Sequence, residues 1–181
     1  MNSLRMLCLA SATALAACGD SGSDNPAIGG HCAAITGGGT TVARSGTCTN
    51  CTGDNVPAAA DGDVGSAAVL FHPSGAAGSN AVRVTAQEGV VYPAGTPAMV
   101  INAIDFTGNS VSTSALLQTY LDGVPQESTT IGAINGVGGP DEGLARRGFT
   151  TSLPFDALEA QFQRSGGAGT VTLTVHEFCT N

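Results

Sequence analysis

Residues with the types and spacing for chemistry concentrate in one stretch, CTNCTGDNVPAAADGDVGSAAVLF, from Cys48 to Phe71. Cys48 and Cys51 form a CxxC pair, which can serve as a redox centre, as half of a zinc site or as a staple. Asp61 and Asp63 flank a glycine in a DGD triplet, a loop type that can present oxygens to a metal ion. A redox CxxC opens a helix after a strand, where the helix end lowers the thiol pKa; here the turn-rich TGDNVPAAADGD follows, and redox catalysis is not expected. His31, Cys32, Cys48 and Cys51 have the atoms for zinc, but no second closely spaced cysteine pair accompanies the CxxC. His72 closes a strand before a turn, and neither His31 nor His176 has an acidic or nucleophilic neighbour at an interpretable spacing, so all three read as structural. With no GxSxG, HExxH or Walker pattern, the chain is not expected to be an enzyme.

The compartment decides how the cysteines are read. Residues 1–17 place Arg5 ahead of an apolar run too short to span a bilayer stably, which is a secretory signal peptide. The run ends in Leu15-Ala16-Ala17-Cys18, which resembles the bacterial lipobox, and this implies that Cys18 is lipidated and anchors the mature chain in a membrane. Gly19 after the cysteine resembles the pattern of lipoproteins sent to the outer membrane, with the domain periplasmic or surface-exposed. Residues 18–30 read as the lipidated cysteine and a flexible tether, and residues 31–181 as one domain. Loss of Arg5 leaves five arginines against fourteen carboxylates, a net charge of −9 with no lysine, so nucleic acid is not expected as a partner. In an oxidising compartment Cys32, Cys48, Cys51 and Cys179 predict two disulfides. Three connectivities are open; a bridge from Cys179 to Cys32 or Cys51, tying the last strand to the start of the domain, is favoured.

The elements that position these residues read as strands. Val82, Val84 and Ala86 alternate with polar neighbours, PAMVINAI is apolar enough for a strand inside a sheet, and Asp122-Gly123 predicts a tight hairpin whose return strand, carrying Pro125, lies at an edge. Leu158, Ala160 and Phe162 alternate, as do Val171, Leu173 and Val175, and the two strands are expected to pair across the turn SGGAG. INGVGGPDEGLARRG is expected to be a long surface loop, with Arg146-Arg147 on a solvated strand. The fold class is all-β, a jelly-roll-like antiparallel β-sandwich in a single domain.

AAADGDVGSAAVLF resembles the opening strand of galactose-binding-like, discoidin-type jelly rolls. VRVTAQEGVVYPAGTPAMVI, LLQTYLDGVPQES and RRGFTTSLPFDALEAQFQ resemble bacterial secreted and surface β domains of mostly unassigned role; the resemblance spans Cys48 to Phe178, and the chain departs from sugar-binding members in having no tryptophan. It implies a structural calcium held by Asp61, Asp63 and Glu177. Parity puts Glu177 on the side of Val171, Leu173 and Val175, facing the core, where a carboxylate needs a partner; the alternative is a strand ending at His176, with Glu177 at the surface and DGD a solvated turn. The expected role is non-enzymatic binding or adhesion at the envelope, with neutral polysaccharide or an envelope protein as partner. The alternatives are an accessory subunit of an envelope assembly and a periplasmic metal-dependent hydrolase. A polar groove favours glycan, whereas a large apolar patch favours assembly.

Overall fold

The computed structural model describes residues 32–108, 111–136 and 142–181; residues 1–31, with the expected signal peptide, Cys18, the expected tether and His31, lie outside them. Ten strands occur in the order β1 (Thr41–Ser45), β2 (Thr52–Asp54), β3 (Ala68–His72), β4 (Gly78–Thr85), β5 (Pro97–Thr107), β6 (Val111–Leu121), β7 (Val124–Gly136), β8 (Glu142–Thr150), β9 (Ala157–Arg164) and β10 (Thr170–Cys179). A short 3-10 helix, Val56–Ala60, is the sole helical element among the described residues. The strands form two five-stranded sheets, β1-β4-β9-β6-β7 and β2-β3-β10-β5-β8, antiparallel throughout. This is the all-β sandwich that the alternating pattern calls for.

The core lies between the sheets. Val82 and Val84 of β4, Leu158, Ala160 and Phe162 of β9, and Ala115 and Leu117 of β6 meet Leu70 of β3, Val100 and Ile104 of β5, and Val171, Leu173 and Val175 of β10. Phe155, Phe162 and Phe178 are the largest of the fully buried side chains, each contributing about 1.5–3 kcal/mol of transfer free energy. The β6–β7 hairpin turns on Asp122 (φ 52°) and Gly123 (φ 76°), the left-handed pair that an Asp-Gly turn supplies, and β7 with Pro125 is an edge strand.

Two expectations are corrected. Strands β9 and β10 do not pair: β9 lies between β4 and β6, and β10 between β3 and β5, so the glycine-rich connection crosses from one sheet to the other. Arg164 holds that arch, donating from Nη2 to the carbonyls of Gly167 (2.6 Å) and Gly169 (2.8 Å) and from Nη1 to Pro73 (3.0 Å). The segment expected as a loop is strand at both ends: residues 134–136 close β7, and from Glu142 onward it is β8, which pairs with β5 at a sheet edge. Its edge position tolerates glycine and arginine, and Arg147 Nη1 fastens it by donating to Asn102 O (2.8 Å) and Oδ1 (3.2 Å).

The chain ends are joined. Cys32 and Cys179 form a disulfide, Ile35 N donates to Phe178 O (3.0 Å), and Thr180 N donates to Ala33 O (3.0 Å). Cys179 therefore takes one of the two favoured partners, and Cys48 pairs with Cys51.

Candidate functional site

The outer face of the first sheet is polar. Register places Ser79, Ala81 and Arg83 of β4 beside Gln163, Gln161 and Glu159 of β9, and these beside Ser114, Leu116 and Gln118 of β6. One end of this face is filled. Glu159 Oε2 accepts from Arg83 Nε (2.9 Å) and Ser45 Oγ (3.0 Å), Oε1 accepts from Tyr120 OH (3.0 Å), and the Arg83 guanidinium lies 3.5 Å from the centre of the Tyr120 ring. Such a charge pair with an aromatic lid fixes its own geometry and leaves little for a ligand.

The other end is open, forming a groove of about 420 Å³ whose lining includes Thr47, Ser79, Ser114, Gln163 and Ser165. Its volume is within the range of small-ligand sites, about 300–1,000 Å³. Thr47 and Ser79 are locked together, with Thr47 N donating to Ser79 O (3.0 Å) and Ser79 N donating to Thr47 Oγ1 (3.0 Å). The side chains of Ser114, Gln163 and Ser165, in contrast, make no hydrogen bond to another described residue, so their donors and acceptors are available. Arg164 reaches the groove with most of its guanidinium N–H groups already donated to carbonyls, so few of its donors are left for a ligand.

The acidic residues lie elsewhere. A register shift between Val175 and Glu177 leaves His176 as an extra residue, and the bulge reverses the parity expected from sequence. Phe178 enters the main core, while Glu177 pairs with Ile101 on the opposite face of the second sheet, where Ile101, Val64 and Cys179 cluster. Glu177 is nonetheless only 1% exposed, beneath the DGD loop, with Oε2 accepting from Gly62 N (2.8 Å). Burial pushes its carboxyl up to about 8; hydrogen bonds from Gly62 and Phe178 oppose this, and the charges of Asp61 and Asp63 add to it. Asp61 Oδ1 accepts from Asp63 N (2.9 Å), Asp61 Oδ2 from Ser66 Oγ (2.7 Å) and Asp63 Oδ1 from Gly65 N (2.8 Å). The structure thus brings the three predicted calcium ligands to one loop, and in charge and donor type they suit a hard cation. Their spacing is looser: they are not among the groups whose donor atoms all lie within 4.8 Å of one another in the described residues.

That closeness belongs to the CxxC pair, Cys48 and Cys51, together with His72, which sequence reasoning left apart from them. Strand β2 pairs Thr52 with Phe71, so the residues next along, Cys51 and His72, face each other across the ladder. His72 is fully buried, set edge-on to Phe162 at 5.1 Å, and neither ring nitrogen has a hydrogen-bond partner. A buried polar group left so costs about 1–3 kcal/mol. Burial first, then the charges of Arg164 and Arg44, hold its pKa down at about 4. The signal was present in sequence, because Ala68, Leu70 and His72 share one parity and the first two are core residues.

No family model matches the chain, and no curated protein matches it in sequence. Among solved structures it is similar to the enzymatically active domain of a bacteriophage CBA120 tailspike, at 18% identity and a TM-score of 0.42, covering 78% of this chain and 19% of that one. It is similar to the family 32 carbohydrate-binding module of Clostridium perfringens NanJ solved with galactose, at 13% identity and a TM-score of 0.38 over 73% of this chain and 92% of that one. A chitosan-binding module from a Paenibacillus sp. IK-5 chitosanase/glucanase gives 16% identity and a TM-score of 0.38 over 81% and 99%.

Proposed function

We propose that the chain is a non-catalytic glycan-binding module, held at the outer membrane through a lipidated Cys18. The observation that carries the reading is the open polar groove, whose available hydrogen-bonding groups are hydroxyls and an amide. Serine hydroxyls and a glutamine amide both donate and accept, which matches the mixed donors and acceptors of a sugar ring. The donors of Arg164 are largely taken by carbonyls and the chain is acidic, which favours a neutral polysaccharide over an anionic one. Recognition here works by hydrogen bonding without an aromatic stacking surface, since the groove lining contains no aromatic residue among the described residues. Binding of the chain to an array of neutral and anionic polysaccharides tests the reading. Saturable binding to a neutral glycan is expected; binding confined to anionic polymers, or none, overturns it.

Calcium is proposed at the DGD loop, with Asp61, Asp63 and Glu177 as its protein ligands. The support is a buried carboxylate with two acidic neighbours and no cationic partner among the described residues. When bound, the ion would supply the positive charge that Glu177 lacks and fix the loop against β10.

A second reading, contact with another envelope protein, is favoured by the opposite end of the sandwich. Among the exposed large apolar side chains, Val90 and Val91 lie on the β4–β5 connection, Leu153 lies on the β8–β9 connection, and Val124 opens β7 beside the β6–β7 turn.

A further inference from the structure

We propose that Cys48, Cys51 and His72 form a reduction-gated site for copper(I). The two sulfurs and an imidazole nitrogen lie within 4.8 Å of one another, two of the three residues are buried, and the ring nitrogens of His72 are committed to no other group. Two thiolates and one imidazole are a soft donor set, the kind that selects copper(I). Charge makes the same choice: two thiolates with a monovalent ion leave one negative charge, which the nearby guanidiniums of Arg44 and Arg164 complement. Zinc would leave none, and a structural zinc site takes four protein ligands, whereas this group contains three.

The gate is the disulfide. A thiol reductant supplies two electrons and two protons, breaking the S–S bond to give two protein thiols and one reductant disulfide. Copper(I) then binds with release of both thiol protons. The frame that positions the sulfurs does not depend on their bond. Cys48 N donates to Ser79 O (3.0 Å), Arg44 Nη2 donates to Cys51 O (2.6 Å), and Asn80 Nδ2 donates to Thr52 O (2.8 Å). Gly78 allows the close approach, since a β-carbon there would sit 2.9 Å from Thr47 Oγ1 and 3.1 Å from Cys48 N. Cys48, half-buried beside the groove residue Thr47, is the exposed corner of the site.

The test is anaerobic titration of the full chain with copper(I) against a colorimetric copper(I) chelator, before and after phosphine reduction. The reduced chain is expected to take one equivalent that the oxidised chain does not. Cys48→Ser with Cys51→Ser, which retains the Cys32–Cys179 pair, should abolish that equivalent, and His72→Gln should weaken it at least about tenfold, since even outer-shell partners are worth that much. Equal binding by the oxidised chain, by the double serine variant or by His72→Gln overturns the proposal. If His72→Gln loses the fold by circular dichroism, X-ray absorption of the copper-loaded wild type decides: two sulfurs and one nitrogen support the site, and all-sulfur coordination overturns it.

Discussion

Replacing Glu177 with Gln keeps the shape of a side chain that is 1% exposed and removes its ionisation. In the wild type the folded state raises this carboxyl from 4.5 to about 8. Its stabilising contribution is therefore complete below pH 4.5 and is lost as pH rises to about 8. At about 1.4 kcal/mol per pH unit, the loss is on the order of 5 kcal/mol over that window. His72 acts with the opposite sign: held down from 6.5 to about 4, its contribution is complete above pH 6.5 and is lost as pH falls to about 4. Each effect is one proton, so the two cancel between pH 4.5 and 6.5, where the wild type should be level. From pH 6.5 to 8 only Glu177 acts, and stability should fall by about 2 kcal/mol. Glu177→Gln should stay level over that range and decline below pH 6.5, exposing the His72 slope. The assay is urea unfolding in chelator with the disulfides intact. A wild type that stays level from pH 6.5 to 8, or a Gln variant that still falls there, refutes the reasoning. Saturating calcium should remove the wild-type fall, because a bound cation favours the carboxylate; identical curves in chelator and calcium would sink the calcium proposal.

Gln163→Ala should weaken glycan binding about two- to tenfold by loss of one hydrogen-bonding group, while Ser114→Trp should block the groove without lowering the unfolding midpoint, both measured by calorimetry and thermal melting. Cys32→Ser with Cys179→Ser opens a loop with a sequence separation of 147 and should cost about 5 kcal/mol on the chain-entropy model, read by urea unfolding. Cys18→Ser should release the protein from membranes on fractionation, and continued membrane association of that variant removes the lipid-anchor proposal.

Local pattern carried much of the fold. The alternation around Val82, Leu158 and Leu173, the Asp122-Gly123 turn and the edge position of Pro125 depend on neighbours a few residues away, and a single sequence displays them. Sheet membership does not work that way. Whether β9 and β10 pair or face each other across the core depends on the arch around Arg164, which is held partly by the carbonyl of Pro73 from a distant turn. Glu177 shows how one residue changes a reading: the bulge at His176 reverses parity, so the predicted burial is found on the unpredicted face. The groove and the copper trio are both products of register. Ser79, Gln163 and Ser114 come from three strands, and Cys51 meets His72 only through the β2–β3 pairing. Nothing in their local sequence joins them.

The Cys32–Cys179 bond also sets how the domain bears load. Tension arriving along the preceding chain reaches Cys32 and passes through a covalent link into β10, the middle strand of its sheet, instead of peeling β1 or β2 from an edge. Because β10 is hydrogen-bonded on both sides, to β3 and β5, the pull must shear two ladders together. Forced unfolding is governed by the unfolding rate, and this attachment point makes a central strand, paired on both sides, the first to carry the strain. With the proposed glycan held in the groove at one end and this bond holding the central strand at the other, the domain would hold against flow.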